Sequence, residues 1–160
     1  MTDPSDGLKS FQYELSRGNI KVQRTMSDLD LFIHADNPIG EHRFTYVRLK
    51  DKTVTAFAVF VMVEPIDGKP CFAVGYAVPE AYRNQGRAKE IVVAALTDMQ
   101  QGLLRNDIPE FYLEVIVGTD NPASQRIAEA TISDQPEAVT ESLTGLPAFR
   151  YVRKVEQAGS

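Results

Sequence analysis

The chain of 160 residues lacks tryptophan and holds one cysteine (Cys71) and two histidines. A single thiol excludes an internal disulfide framework and a cysteine-rich zinc centre. His34 and His42 do not form an HxxxH pattern, so no metal site is expected. Long hydrophobic runs are also lacking. The longest spans residues 54–63, is interrupted by Thr55 and is bounded by Lys52 and Glu64. A membrane helix needs roughly 20 apolar residues, so no membrane partner is expected. The opening MTDPSDG has no apolar stretch of the signal-peptide kind. Basic charge is in deficit, with 17 Lys and Arg against 22 Asp and Glu, a net charge of −5. A nucleic-acid binder would rest on clustered cations, so none is expected here. A cytoplasmic location is the expectation.

What is present is an ordinary globular composition, 43% hydrophobic. The length suggests one domain over residues 1–160, with residues 1–8 as a flexible tail. Residues 11–15 and 20–23 read as short strands flanking Gly18-Asn19. Residues 26–35 read as a helix, and Pro38 and Gly40 break the chain after it. Three strand-like runs come next, at 43–49, 54–63 and 71–78, with links short enough for an antiparallel meander. The period then changes. Residues 87–104 place apolar side chains at 92, 95, 96, 99 and 103, one face of a helix. Residues 111–117 are apolar on both faces, as in a strand inside a sheet. Asp120-Asn121-Pro122 opens a helix running to about Thr131. Residues 137–143 and 148–155 then form a hairpin. This order predicts a mixed α/β fold, a sheet covered by helices.

The chemical signal is concentrated in Tyr76-Ala77-Val78-Pro79-Glu80-Ala81-Tyr82-Arg83-Asn84-Gln85-Gly86-Arg87-Ala88. This segment leaves a strand and enters a long helix, whose first-turn N–H groups have no helical acceptor. Those amides and the positive end of the helix dipole make an anion site. Gly86 lets a phosphate approach the backbone, and Ala88 keeps the first turn uncrowded. Arg83 and Arg87 add cations, while Pro79 helps the chain leave the sheet. A plain strand-to-helix connection is the alternative reading. Neither GxGxxG nor GxxxxGK[ST] is present.

Arg83-x-x-Gly86-x-Ala88 resembles the Q/R-x-x-G-x-G/A signature of the GCN5-related N-acetyltransferase (GNAT) superfamily. Leu113-Glu114 on a strand, followed by Asn121-x-x-Ser124 opening a helix, is similar to the ribosomal-protein alanine N-acetyltransferase branch. The resemblance implies a mixed, mostly antiparallel sheet of six to seven strands with a splay, flanked by about four helices. It implies acetyl-CoA as cosubstrate, no metal, and an amine-bearing small molecule, protein or peptide as acceptor, with a homodimer as one possible assembly. Arg83, Asn84, Gln85, Gly86, Arg87 and Ala88 then hold the pyrophosphate. Tyr76, Ala77 and Val78 bond the pantetheine amides like an added strand. Asn121 contacts the pantetheine arm, caps its helix, or does both.

Transfer of an acetyl group needs a neutral amine, a polarised carbonyl and a proton donor for the thiolate. The tyrosine that many superfamily members use as donor is replaced here by Ala128. Ser124 matches the serine proposed to protonate the sulfur, and a capping or helix-surface role is its other reading. Glu114 shares a strand face with Tyr112 and Ile116. It either accepts the amine proton through water or is an ordinary solvent-facing or salt-bridged strand residue. Glu80, Tyr76 and Tyr82 are the nearby alternatives. Ile132 and Ser133 stand where the family has Gly-Phe, which leaves the path of residues 132–147 and the acceptor side open. The expected function is N-acetyl transfer, and the alternative is a catalytically silent acyl-CoA-binding sensor or scaffold.

Overall fold

Eight strands hydrogen-bond in the order β1-β2-β3-β4-β5-β6-β8-β7 in a computed structural model that describes residues 3–156. They are β1 (Gln23–Arg24), β2 (Phe32–Asp36), β3 (Arg43–Lys50), β4 (Thr53–Ile66), β5 (Lys69–Ala77), β6 (Glu110–Gly118), β7 (Glu137–Thr140) and β8 (Pro147–Glu156). Three α-helices accompany them: α1 (Pro4–Ser16), α2 (Arg87–Arg105) and α3 (Pro122–Thr131). Short 3-10 turns occupy Pro38–Gly40 and Glu80–Tyr82. The sheet is one strand larger than expected, and the helices are fewer. No described helix is long and apolar enough to cross a membrane.

Both faces of the sheet carry apolar side chains because both are covered. From Val54 to Phe60 every residue of β4 is buried, the continuous pattern of a strand enclosed on two sides. One face packs Phe60, Phe72, Leu113 and Tyr151 against Ile91, Val92 and Ala95 of α2 and Ala128 of α3. The other packs Val47, Val54, Phe57 and Val59 against Leu8 and Phe11 of α1. Each such side chain contributes about 1.5–3 kcal/mol on burial.

The N-terminal region departs most from the sequence-based expectation. Residues 4–8 belong to a helix rather than a flexible tail, and residues 11–15 are helical rather than a strand. Asp3 caps this helix, accepting from Ser5 N at 2.8 Å. Gln12 ties it to the β3–β4 hairpin, its Oε1 accepting from Val54 N at 2.7 Å and its Nε2 donating to Lys52 O at 3.0 Å. These long-range bonds fix the helix, and Gly18, at φ 76°, turns the chain at its end rather than closing a hairpin. Residues 26–35 are not a helix either. Thr25 Oγ1 donates to Asp28 O at 2.6 Å and Asp28 Oδ1 accepts from Asp30 N at 3.0 Å. Such side-chain bonds compete with helix formation, and residues 32–36 pair antiparallel with β3 instead.

The feature that positions the site is the single parallel pairing. β5 and β6 are in register only at Cys71–Tyr112, Phe72–Leu113 and Ala73–Glu114. Beyond these pairs both strands continue, but apart. β5 stays paired with β4 up to Ala77, and β6 stays paired with β8 up to Gly118. The expected splay is therefore present, between the strand before α2 and the strand before α3.

Candidate active site

A cleft of 1310 Å³ opens where β5 and β6 part. Its lining is of two kinds. One part is the turn that enters α2. Asn84 and Gly86 adopt left-handed backbone conformations, φ 62° and 72°, which Asn tolerates and Gly takes without strain. A Cβ at Gly86 would meet nothing within 4 Å, so the space beside this turn is open. No side chain caps α2. By contrast, Asp3 caps α1 and Asn121 caps α3. The first-turn amides of α2 are thus left without a side-chain acceptor, which suits an external anion.

Cations lie in that turn, in the first turn of α2 and elsewhere along the cleft. Arg83, Arg87, Lys89 and Arg126 all line the cleft. Arg83 Nε donates to Val78 O at 2.9 Å. Arg87 lies over the Tyr82 ring at 5.2 Å, and its Nε donates to Gln85 Oε1 at 3.1 Å. Gln85 does not itself line the cleft; it steadies Arg87. Asn84, Gly86 and Ala88 do line it, as do Tyr76, Ala77 and Val78. On the side facing β6, β5 is unpaired after Ala73, so residues 74–77 present a free strand edge. Sequence reading missed Lys89 and Arg126. Lys89 was visible as a first-turn neighbour of Ala88, whereas Arg126 needed the placement of α3 against the splay.

At the start of α3, three polar side chains converge. Asn121 Oδ1 accepts from Ser124 N at 3.2 Å, so Asn121 is a helix cap that also lines the cleft. Ser124 Oγ donates to Tyr76 Oη at 3.0 Å, and Tyr76 Oη donates to Ser124 O at 2.7 Å. Burial pushes the Tyr76 phenol up to about 12, against the opposing effect of its Ser124 bond. Tyr76 therefore keeps its proton at neutral pH. Ala128, one turn after Ser124, is fully buried.

Carboxylates line the cleft as well. Glu114 stands at the last β5–β6 pair, and its Oε2 accepts from Arg150 Nε at 2.7 Å. Its side chain is 18% exposed, so it is a half-buried, ion-paired residue that still reaches the cleft. Asp3 from the start of α1, Glu41 before β3 and Glu141 after β7 add three more carboxylates. Ile116 and Leu143 supply exposed apolar surface there, 44% and 81% accessible. Of the alternatives to Glu114, Tyr76 lines the cleft and Glu80 and Tyr82 do not.

A splayed parallel pair beside an uncapped, glycine-led helix, with cations among the cleft lining, defines a mixed α/β protein with an open strand edge next to a helix start. The sequence profile of the acetyltransferase (GNAT) family matches residues 10–130, and the chain belongs to this family. Its fold is similar to that of RimL, a ribosomal alpha-N-protein acetyltransferase in complex with coenzyme A. That structure has 23% identity and a TM-score of 0.52, over 71% of this chain and 62% of the other. It is also similar to a spermidine N-acetyltransferase SpeG chimera from Vibrio cholerae and hSSAT, with 14% identity and a TM-score of 0.51, over 72% of this chain and 68% of the other. A GnaT-family acetyltransferase from Bordetella pertussis gives 16% identity and a TM-score of 0.51, over 72% and 67%. At these identities the likeness is one of fold. No curated protein sequence matches the chain.

Proposed function

We propose that the protein is an N-acetyltransferase that moves an acetyl group from acetyl-CoA directly to a primary amine. The observation that carries this reading is the uncapped start of α2 beside a parted strand pair. It offers amides for a pyrophosphate and, along β5, a free edge for the amides of a pantetheine arm. The residues present fit that ligand. The turn from Arg83 to Ala88 and the cations Lys89 and Arg126 hold its phosphates. The backbone of Tyr76, Ala77 and Val78, with Asn121, holds its arm. The second lone pair of the Val78 carbonyl remains available beside its bond to Arg83.

Acetyl-CoA supplies an activated acyl group as a thioester. The chain's own residues then have three tasks. The cleft brings the amine and the acyl carbon together, which removes much of the entropic barrier. Ser124 Oγ–H donates to the leaving sulfur. Glu114 takes the amine proton through water, using the carboxylate oxygen not engaged by Arg150. Asp3, Glu41 and Glu141 draw in a cationic acceptor, a small polyamine or the amino end of a peptide. Two of the similar structures are a spermidine acetyltransferase and an alpha-N-protein acetyltransferase, which fits an amine-bearing acceptor.

The buried Ala128 in place of the family tyrosine favours a second reading, a silent acyl-CoA binder. One experiment separates the two. Acetyl-CoA is mixed with a panel of polyamines and peptides, and both melting temperature and free thiol are followed. An acetyltransferase shows a thermal shift and amine-dependent thiol release. A silent module shows the shift alone, and a chain that shows neither is not a CoA protein.

A further inference from the structure

The hydroxyl of Tyr76 makes both its hydrogen bonds to one residue, accepting from Ser124 Oγ and donating to Ser124 O. Tyr76 lies on β5 beyond the last β5–β6 pair, and Ser124 lies in the first turn of α3, which follows β6. Among the described residues, this pair is the side-chain hydrogen-bond link between β5 and α3. It spans the splay at the level of the cleft, which both residues line. Ser124 is thereby engaged at its amide, its carbonyl and its hydroxyl.

The two bonds have different fates once a thiolate forms. The Ser124 hydroxyl is a rotor, and its hydrogen can turn from Tyr76 toward another acceptor. The Tyr76–carbonyl bond does not depend on that rotation, so the first turn of α3 stays tied to β5 while the hydroxyl hydrogen changes partner. We propose that Tyr76 is a positioning residue for acetyl transfer, holding Ser124 by its carbonyl at the splay so that the hydroxyl can turn to stabilise the departing sulfur. The inference rests on Ser124 serving as that donor.

The test does not require an acceptor amine. CoA is bound to the protein, and the ultraviolet absorbance of its thiolate is titrated in wild type, Tyr76→Phe, Ser124→Ala and the double variant. A hydroxyl held at the sulfur lowers the pKa of the bound thiol. Each single variant should raise it by about half a unit to one unit, the scale of one hydrogen bond. The double variant should equal the single ones, because both remove the same interaction. With an amine substrate, Tyr76→Phe should lower kcat about tenfold and leave KM for acetyl-CoA within about twofold. A thiol pKa raised in Ser124→Ala but unchanged in Tyr76→Phe overturns the role of Tyr76 and leaves Ser124 standing. An unchanged value in all variants removes Ser124 as donor, and the positioning role with it. Should Tyr76→Phe fold poorly, Tyr76→His, which keeps a ring donor, should restore part of the shift; failure to do so in a folded protein counts against the proposal.

Discussion

Around the start of α2 the cleft is made of backbone, whereas elsewhere it is lined by side chains from separate segments. The first region is one continuous stretch from the end of β5 to the first turn of the helix. Its conformation is set by left-handed Asn84 and Gly86, and its arginines are anchored to Val78 O, Gln85 and Tyr82. The second region draws Asp3, Glu41, Glu114 and Glu141 from four distant parts of the chain. A ligand recognised through backbone tolerates drift in side chains, and a ligand recognised through side chains changes with them. On the proposed function, the cofactor is held where the fold itself fixes the chemistry, and the side-chain carboxylates set the choice of acceptor.

The largest expected effect lies at the proposed proton donor and the proposed proton acceptor. Ser124→Ala and Glu114→Gln should each lower kcat at least about tenfold, within the range for a positioned acid or base, with CoA affinity little changed. The Glu114→Gln loss should be partly recovered at higher pH, where more of the amine is already neutral. Steady-state kinetics across pH checks both. Near-normal turnover in both variants would reduce the site to positioning alone and erase the chemical boundary between the regions.

The same contrast decides what could be read in advance. The strands from β3 to β6, together with α2 and α3, were legible because each rests on local periodicity and on caps or turns written next to it. The anion turn was legible for the same reason: a strand end, a glycine and a helix start are neighbours in sequence. The N-terminal helix was not legible, since it is secured by Gln12 reaching the β3–β4 hairpin, 42 positions away. Nor was β2, where Asp28 and Asp30 imitate a helix start but serve a turn and an ion pair with Arg48 at 2.7 Å. Glu114 was found as a candidate, but its Arg150 partner comes from β8, 36 positions on. The acceptor carboxylates share the same cause of failure. Nothing local marks Asp3, Glu41 or Glu141 as neighbours.

A smaller effect concerns Tyr76 and alkaline stability. With its phenol pushed up to about 12 by burial in the fold, the folded state holds a proton that the unfolded chain releases near pH 10. The stabilisation from this group is complete below about pH 10 and is lost as pH rises toward about 12. Denaturant melts at pH 9 and 11.5 should show a steeper alkaline loss in wild type than in Tyr76→Phe, by about 1–2 kcal/mol. Equal slopes would mean that the phenol is solvated and that the splay is wetter than the structure shows.

The smallest effects are expected at the acceptor carboxylates. Asp3→Asn, Glu41→Gln and Glu141→Gln should each raise KM for a cationic acceptor by up to about fivefold, the scale of an exposed ion pair. Added salt should shrink these differences, and KM for acetyl-CoA should stay unchanged. If the three substitutions instead weaken acetyl-CoA, the two parts of the cleft lining are not separate in function.

Calorimetric titration of CoA into wild type and Gly86→Val probes the backbone-built part directly. Valine at a φ of 72° is strained and places a branched side chain into the open space beside the first turn of α2. The variant should remain folded, with a lower melting temperature, and should lose measurable CoA binding. A folded Gly86→Val protein that binds CoA with wild-type affinity would contradict the placement of the pyrophosphate at this turn.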